Sequence, residues 1–230
     1  MAQAVLTRAN VRILIIEDHM LFAESMDLAL TIEGYDVRRL PVPDMGSSQA
    51  ALLSAITRLR PRIVLLDLDL GHLGDGVRLI APIARTGAHV VVVTASADRG
   101  RWGECLRYGA RKVLTKARPL NEIMATIRRL NQGLPVMDPE ERNELLHVWH
   151  EERQVHHEFR LRLQRLTARE REVLGHLMEG HTVRDIAHLS VVSEATVRTQ
   201  VKSILAKLEV SSQLAAVGLA NTTGWRPSQS

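Results

Sequence analysis

Residues 63–69 read Ile-Val-Leu-Leu-Asp-Leu-Asp, an apolar run with no alternation that ends on two carboxylates. A strand with one wet face alternates apolar and polar, whereas one covered on both faces does not. Residues 11–17 (VRILIIE) and 89–95 (HVVVVTA) repeat the pattern. Residues 35–40 and 112–115 are weaker strand candidates. Between these runs, residues 21–32, 48–59, 77–85, 100–108 and 120–130 place apolar side chains at helical spacing. Strands alternating with helices predict an α/β domain: a doubly wound, parallel, five-stranded sheet. The ligand site of such a sheet lies at the carboxyl ends of its strands.

Those ends carry the chemistry. Glu17 and Asp18 close the first run, Asp67 and Asp69 the third, Thr94 the next, and Lys116 follows the last. Carboxylates gathered at one sheet edge repel one another, and a divalent cation with oxygen ligands relieves the repulsion. A carboxylate beside a metal, a hydroxyl and an ammonium is equipped to accept a phosphoryl group. Taken singly, each residue also reads as a solvated loop carboxylate, an ordinary strand-end threonine or a surface lysine. The weight lies in their order, each after its own strand.

Composition narrows the class. The chain has 230 residues, 45% of them hydrophobic and 24% charged, as in globular proteins. Aromatics at 3% argue against a base-stacking platform. The single cysteine, Cys105, excludes an internal disulfide and a thiolate metal cluster. No apolar run approaches the roughly 18 residues of a membrane span, and residues 1–10 lack the order of a signal peptide. A soluble cytoplasmic protein with no membrane partner is expected. The net charge of +4 permits an anionic partner. Residues 166–230 hold 7 basic and 6 acidic side chains, so nucleic-acid binding there would rest on a few placed cations.

Past Gly133 the strand signal stops. Residues 140–165 are charged and helix-favouring, with Leu145, Val148, Val155, Phe159 and Leu166 at heptad-like spacing broken by Glu152 and Arg162. This predicts a connecting helix, with pairing to a second chain as the alternative. His147, His150 and Glu151 share a face there, either as metal ligands or as a solvated, titratable helix. Beyond it, Thr167 with Glu170 and Thr182 with Asp185 spell capping boxes; Ser193 caps a third helix, and Ser211 or Ser212 a fourth. Ile186, Ala187, Leu189, Val197, Val201, Ile204 and Leu208 are the expected core of this four-helix unit. Two short helices parted by a tight turn, the second bearing Arg198 and Lys202 on one face, form a helix-turn-helix pattern.

With these residues in view, the first 131 positions resemble a response-regulator receiver domain (flavodoxin-like), and the whole chain is similar to the NarL/FixJ family. Residues 166–217 resemble the LuxR-type DNA-binding domain, through Leu-Thr-Ala-Arg-Glu-Arg-Glu at 166–172, Asp185-Ile186-Ala187 and Ser193-Glu194-Ala195-Thr196-Val197. The resemblance implies a receiver at 10–132, a charged helical linker at 133–164 and a helix-turn-helix domain at 165–222. It implies that Asp67 takes phosphate from a sensor histidine kinase. Glu17, Asp18, Asp67 and the backbone of Asp69 would serve a Mg²⁺ ion, and Thr94 and Lys116 would contact the phosphoryl group. It further implies DNA contacts from Thr196, Arg198, Thr199, Lys202 and Lys207, and a homodimer helix bearing Leu214 and Val217, engaging a two-fold-related DNA site. No enzyme of independent turnover is implied.

Departures in both domains qualify that picture. Leu70-Gly71-His72 stands where a Met-Pro pair is usual, Val113 occupies the position of an aromatic switch residue, and Glu209 replaces a common glycine. The first two leave room for a regulator whose receiver docks or dimerises without phosphate. Asp67-Leu68-Asp69 also resembles the D-x-D motif of haloacid-dehalogenase-type phosphatases, whose further metal carboxylates follow the nucleophile; here the acidic pair precedes it.

Overall fold

The three apolar runs form the middle of a five-stranded parallel sheet in a computed structural model that describes residues 7–40 and 49–226. Residues 1–6, the expected helix start at Ser48 and the side chain of His72 lie outside the described set. Strands β1 (Arg12–Ile16), β2 (Asp36–Leu40), β3 (Ile63–Leu66), β4 (His89–Thr94) and β5 (Lys112–Thr115) take the order β2-β1-β3-β4-β5. Successive side chains of β1 point to opposite faces. Ile13 and Ile15 pack with Met26 of α1 (Met20–Ile32) and Ile127 of α5 (Leu120–Asn131). Leu14 and Ile16 join the core holding Ile56 of α2 (Gln49–Leu59), Ile80 of α3 (Val77–Arg85) and Leu106 of α4 (Arg99–Arg107). Both sheet faces are therefore covered, as the unalternated runs require.

Strands β1, β2 and β4 fall one residue short of the reading of the sequence at one end or both, and β3 falls three short. The third strand stops at Leu66, not Asp69, because the Asp67 carboxylate accepts the Leu68 N–H (2.6 Å) and the Leu68 carbonyl accepts from Gly76 (2.8 Å). Those bonds take the chain out of the ladder. Tyr35 stays outside β2 since its N–H returns to the Leu30 carbonyl at the end of α1 (3.2 Å).

The chain divides into two compact units, Met1–His150 and Glu151–Ser230, whose boundary falls inside helix α6 (Pro139–Gln164). The heptad-like stripe is split between them: Leu145 is buried in the first core, while Phe159 and Leu166 are buried in the second. Val155, between them, is exposed. The second unit adds α7 (Ala168–Met178), α8 (Val183–Leu189), α9 (Glu194–Leu208) and α10 (Gln213–Thr222). Both capping boxes form, Ser193 caps α9, and Ser212 rather than Ser211 caps α10. Leu189 is a correction: as the last residue of the short α8 it faces solvent, 58% exposed, and leaves the core to Ile186, Val197, Ile204 and Leu208. Among the described residues no single helix is long and apolar enough to cross a membrane.

Candidate acidic site and helix-turn-helix surface

The register of β1 against β3 builds the acidic site. Ile16 pairs with Leu66, and the Asp67 N–H donates to the Ile16 carbonyl (3.0 Å), so Glu17-Asp18 and Asp67 leave the sheet side by side. On the other flank Thr94 pairs with Thr115, and the Lys116 N–H donates to the Thr94 carbonyl (2.8 Å). The Lys116 ammonium then reaches across, donating to Glu17 Oε1 (2.7 Å) and Asp67 Oδ2 (2.8 Å). Glu17 and Asp67 are buried, and Phe22 lays its ring 5.2 Å from the Lys116 nitrogen. Burial pushes the Glu17 carboxyl above its usual pKa, and the Asp67 charge adds to this, against hydrogen bonds from Lys116 and the His19 N–H. For Lys116, burial alone would lower the pKa; its hydrogen bonds to Asp67 and Glu17 outweigh that and raise it.

Spacing had not singled out His19. Its Nδ1 lies 2.9 Å from Asp18 Oδ1 and 3.2 Å from Glu17 Oε1. The ligating atoms of Glu17, Asp18, His19 and Asp67 all fall within 4.8 Å of one another. The sequence signal available was adjacency to the acidic pair. Asp69, by contrast, is exposed, its carboxylate accepts the Gly71 N–H (3.3 Å), and it is not one of these four grouped ligands. Thr94 is buried, and its hydroxyl accepts the Ser96 N–H (3.1 Å). Val113 is buried in β5. Gly76 backs the site closely: a Cβ there would stand 2.3 Å from the Asp67 carbonyl. The donor set is mostly hard oxygen, and Lys116 satisfies only part of it, so the residues present suit a small divalent cation. Cys105 adds nothing here, since burial pushes its thiol up to about 12.

In the second unit, Thr196, Arg198, Thr199 and Lys202 are exposed on α9. Arg198 pairs with Glu194 one turn earlier (3.1 Å), and Thr199 back-bonds to the Ala195 carbonyl (3.0 Å). Lys207 is placed differently. Its ammonium donates to the buried carboxylate of Glu170 (2.7 Å), beside the Ser203 hydroxyl (2.7 Å). Leu214 on α10 is 81% exposed, while Val217 rests partly buried against the core.

A family model described as the response regulator receiver domain matches residues 13–128, and one described as bacterial regulatory proteins, luxR family, matches residues 164–220. The transcriptional regulatory protein DesR of Bacillus subtilis (strain 168) is 23% identical over 215 residues, spanning 94% of this chain and 98% of the relative. LiaR of the same organism is 28% identical over 216 residues, spanning 92% and 97%. The RcsB response regulator of Salmonella typhimurium has a similar fold, with a TM-score of 0.50 at 23% identity over 93% of this chain and 99% of that one. RcsB in complex with DNA gives 0.50 at 24% identity, over 93% and 98%.

Proposed function

We propose, from the premise that this chain belongs to the response regulators that join a receiver domain to a luxR-family helix-turn-helix domain, that phosphorylation of Asp67 controls its binding to DNA. The observation that supports this most is Lys116, whose ammonium holds the buried Asp67 and Glu17 carboxylates together at the ends of β3 and β1. We take residues 10–132 as the receiver, 133–164 as the connector and 165–222 as the DNA-binding domain.

In this reading an Asp67 carboxylate oxygen attacks the phosphorus of a phosphohistidine on a sensor kinase. The new O–P bond forms as the N–P bond breaks, and the imidazole leaves with the electron pair. Lys116, already 2.8 Å from Asp67, moves its hydrogen bond to a phosphoryl oxygen, and the Thr94 hydroxyl donates to another. Glu17, Asp18 and Asp67 would hold Mg²⁺, with the Asp69 carbonyl completing the protein's share. Bound there, the ion neutralises phosphoryl charge. Lys116 stands between Glu17 and Asp67 and donates to both.

DNA recognition falls to α9. Arg198 and Lys202, four residues apart, share an exposed face with Thr196 and Thr199, suited to the major groove. Because Lys207 is tied to Glu170, its part is to hold α9 in place more than to reach phosphate. Leu214, exposed on α10, supports a homodimer contact, and a two-fold dimer matches a two-fold-related site. The names of the relatives, transcriptional regulatory proteins, agree with this role.

A second reading draws on Val113. With no ring at this buried position of β5, the receiver lacks a side chain whose inward turn would report phosphate, and it would signal by docking or dimerisation alone. Intact mass after incubation with a small phosphodonor and Mg²⁺ separates the two. One phosphoryl adduct on the wild type and none on Asp67→Asn is the expected result. No adduct on either protein leaves the docking reading standing.

A further inference from the structure

Helix α7 ends in a turn whose geometry places two histidines against one carboxylate. Gly180 takes φ +87°; its N–H donates to the Leu177 carbonyl (3.1 Å), and the His181 N–H donates to the His176 carbonyl (3.0 Å). These are the paired bonds of a Schellman ending, which brings the second residue past the helix back over the residue one turn earlier. An apolar pair commonly fills those two positions. Here both are histidine, with ring centroids 5.4 Å apart and planes at 78°.

Both imidazoles face the same atom. His176 Nδ1 and His181 Nδ1 each lie 3.4 Å from Glu179 Oε2. Neither contact is aligned as a hydrogen bond, and both nitrogens are screened from solvent with no partner. Two orphaned nitrogens aimed at one oxygen are costly unless something between them is bound. The spacing fits such an occupant: four ligands at zinc–nitrogen and zinc–oxygen distances stand about 3.3–3.4 Å apart around a tetrahedral ion. All three ligating atoms lie within 4.8 Å of one another.

We propose that His176, Glu179 and His181 form a binding site for a divalent transition-metal cation, separate from the acidic site at the strand ends. Two imidazoles and one carboxylate select zinc, nickel or copper over magnesium, which prefers all-oxygen sites. Three protein ligands leave the remaining position to water. The ion pins His181, the residue before the α8 cap Thr182, against the end of α7, and thereby fixes the turn that leads into the helix-turn-helix.

The experiment is calorimetric titration of the full chain with zinc, in excess Mg²⁺ so that the acidic site does not compete. Wild type is compared with His176→Gln, His181→Gln, Glu179→Gln and, as a control for the histidines of α6, His150→Gln. One zinc equivalent disappears in each of the first two variants, affinity falls roughly tenfold or more in Glu179→Gln, and His150→Gln keeps that equivalent. Zinc also raises the melting temperature of the wild type, since binding to the folded state stabilises it by mass action. The site is overturned by a wild type that takes up no zinc, by histidine variants that keep the wild-type stoichiometry, or by loss of the equivalent in His150→Gln alone. Should the histidine variants fail to fold, Glu179→Gln decides, because its carboxylate is exposed: unchanged zinc affinity there overturns the site.

Discussion

Glu17 and Glu170 are both buried glutamates held by a lysine, yet their pKa values move in opposite directions. Burial works to raise both. Glu170 is held down to about 2 because Lys207, Ser203 and the Thr167 N–H all donate to its carboxylate. Glu17 shares its lysine with Asp67, whose charge opposes its own, so burial prevails. Below its folded pKa Glu17 is neutral and stable in place; above it, the charged form costs stability that a divalent cation offsets. Glu170 has the opposite sign. Its stabilising contribution is complete above the unfolded value near 4.5 and is lost as pH falls toward 2. Replacing it with Gln should cost the second unit roughly 1.5–3 kcal/mol at pH 7 and flatten its loss of stability between pH 4.5 and 2. Thermal melts across that range check this, and a wild-type acid profile in the variant would refute it. Thr167-x-x-Glu170 was legible as a capping box, but Lys207, 37 residues on, was not legible as its partner. Local spacing encodes helix caps, whereas an ion pair between two helices appears only once they pack. For the same reason Lys207 reads from the sequence as a phosphate anchor, and His19 goes unnoticed beside Glu17.

At the scale of elements, the strands and caps were legible because each is a local device: an unalternated run, a hydroxyl three residues before a carboxylate. The long helix was legible as a connector over residues 140–165, but the use of its apolar stripe was not, since α6 spends Leu145 on the first core and Phe159 on the second. What seats its first half is a close approach to α4. A Cβ on Gly103 would lie 2.1 Å from the Leu145 carbonyl and 2.7 Å from the Trp149 Cβ. Beside it, Arg142 donates to the Leu106 carbonyl at the end of α4 (3.0 Å), and Arg99 pairs with Glu144 (2.9 Å). Both partners of the misfit are backbone or the root of a side chain, so neither yields without moving a helix. Gly103→Ala should therefore lower the stability of the first unit by roughly 1–3 kcal/mol and shift the fluorescence of Trp149. Replacing Glu144 with Gln, which removes only an exposed ion pair, should change stability by well under 1 kcal/mol. An unchanged melt in Gly103→Ala would mean that α6 does not sit on α4 in solution.

For the whole molecule, the distribution of charge sets how DNA binding responds to salt. The net charge is +4, yet residues 166–230 hold 7 basic against 6 acidic side chains. Two of those cations are occupied within their own unit: Lys207 by Glu170, and Arg169 by Glu172. Arg198 and Lys202 remain exposed on α9, and the Glu194 that meets Arg198 is an exposed helix neighbour that gives way readily to phosphate. A dimer would then present about four phosphate-neutralising cations, and each contributes about 0.9 to the slope of log K against log salt on duplex DNA. The expected slope is about −4 on a random-sequence duplex, measured by fluorescence anisotropy. Arg198→Ala should reduce its magnitude by about 2, one contact from each copy. Lys207→Met should lower the melting temperature and leave the slope of the folded protein unchanged. A slope beyond about −7 would place further DNA contacts outside α9, and a slope lowered by Lys207→Met would return that lysine to the phosphate backbone.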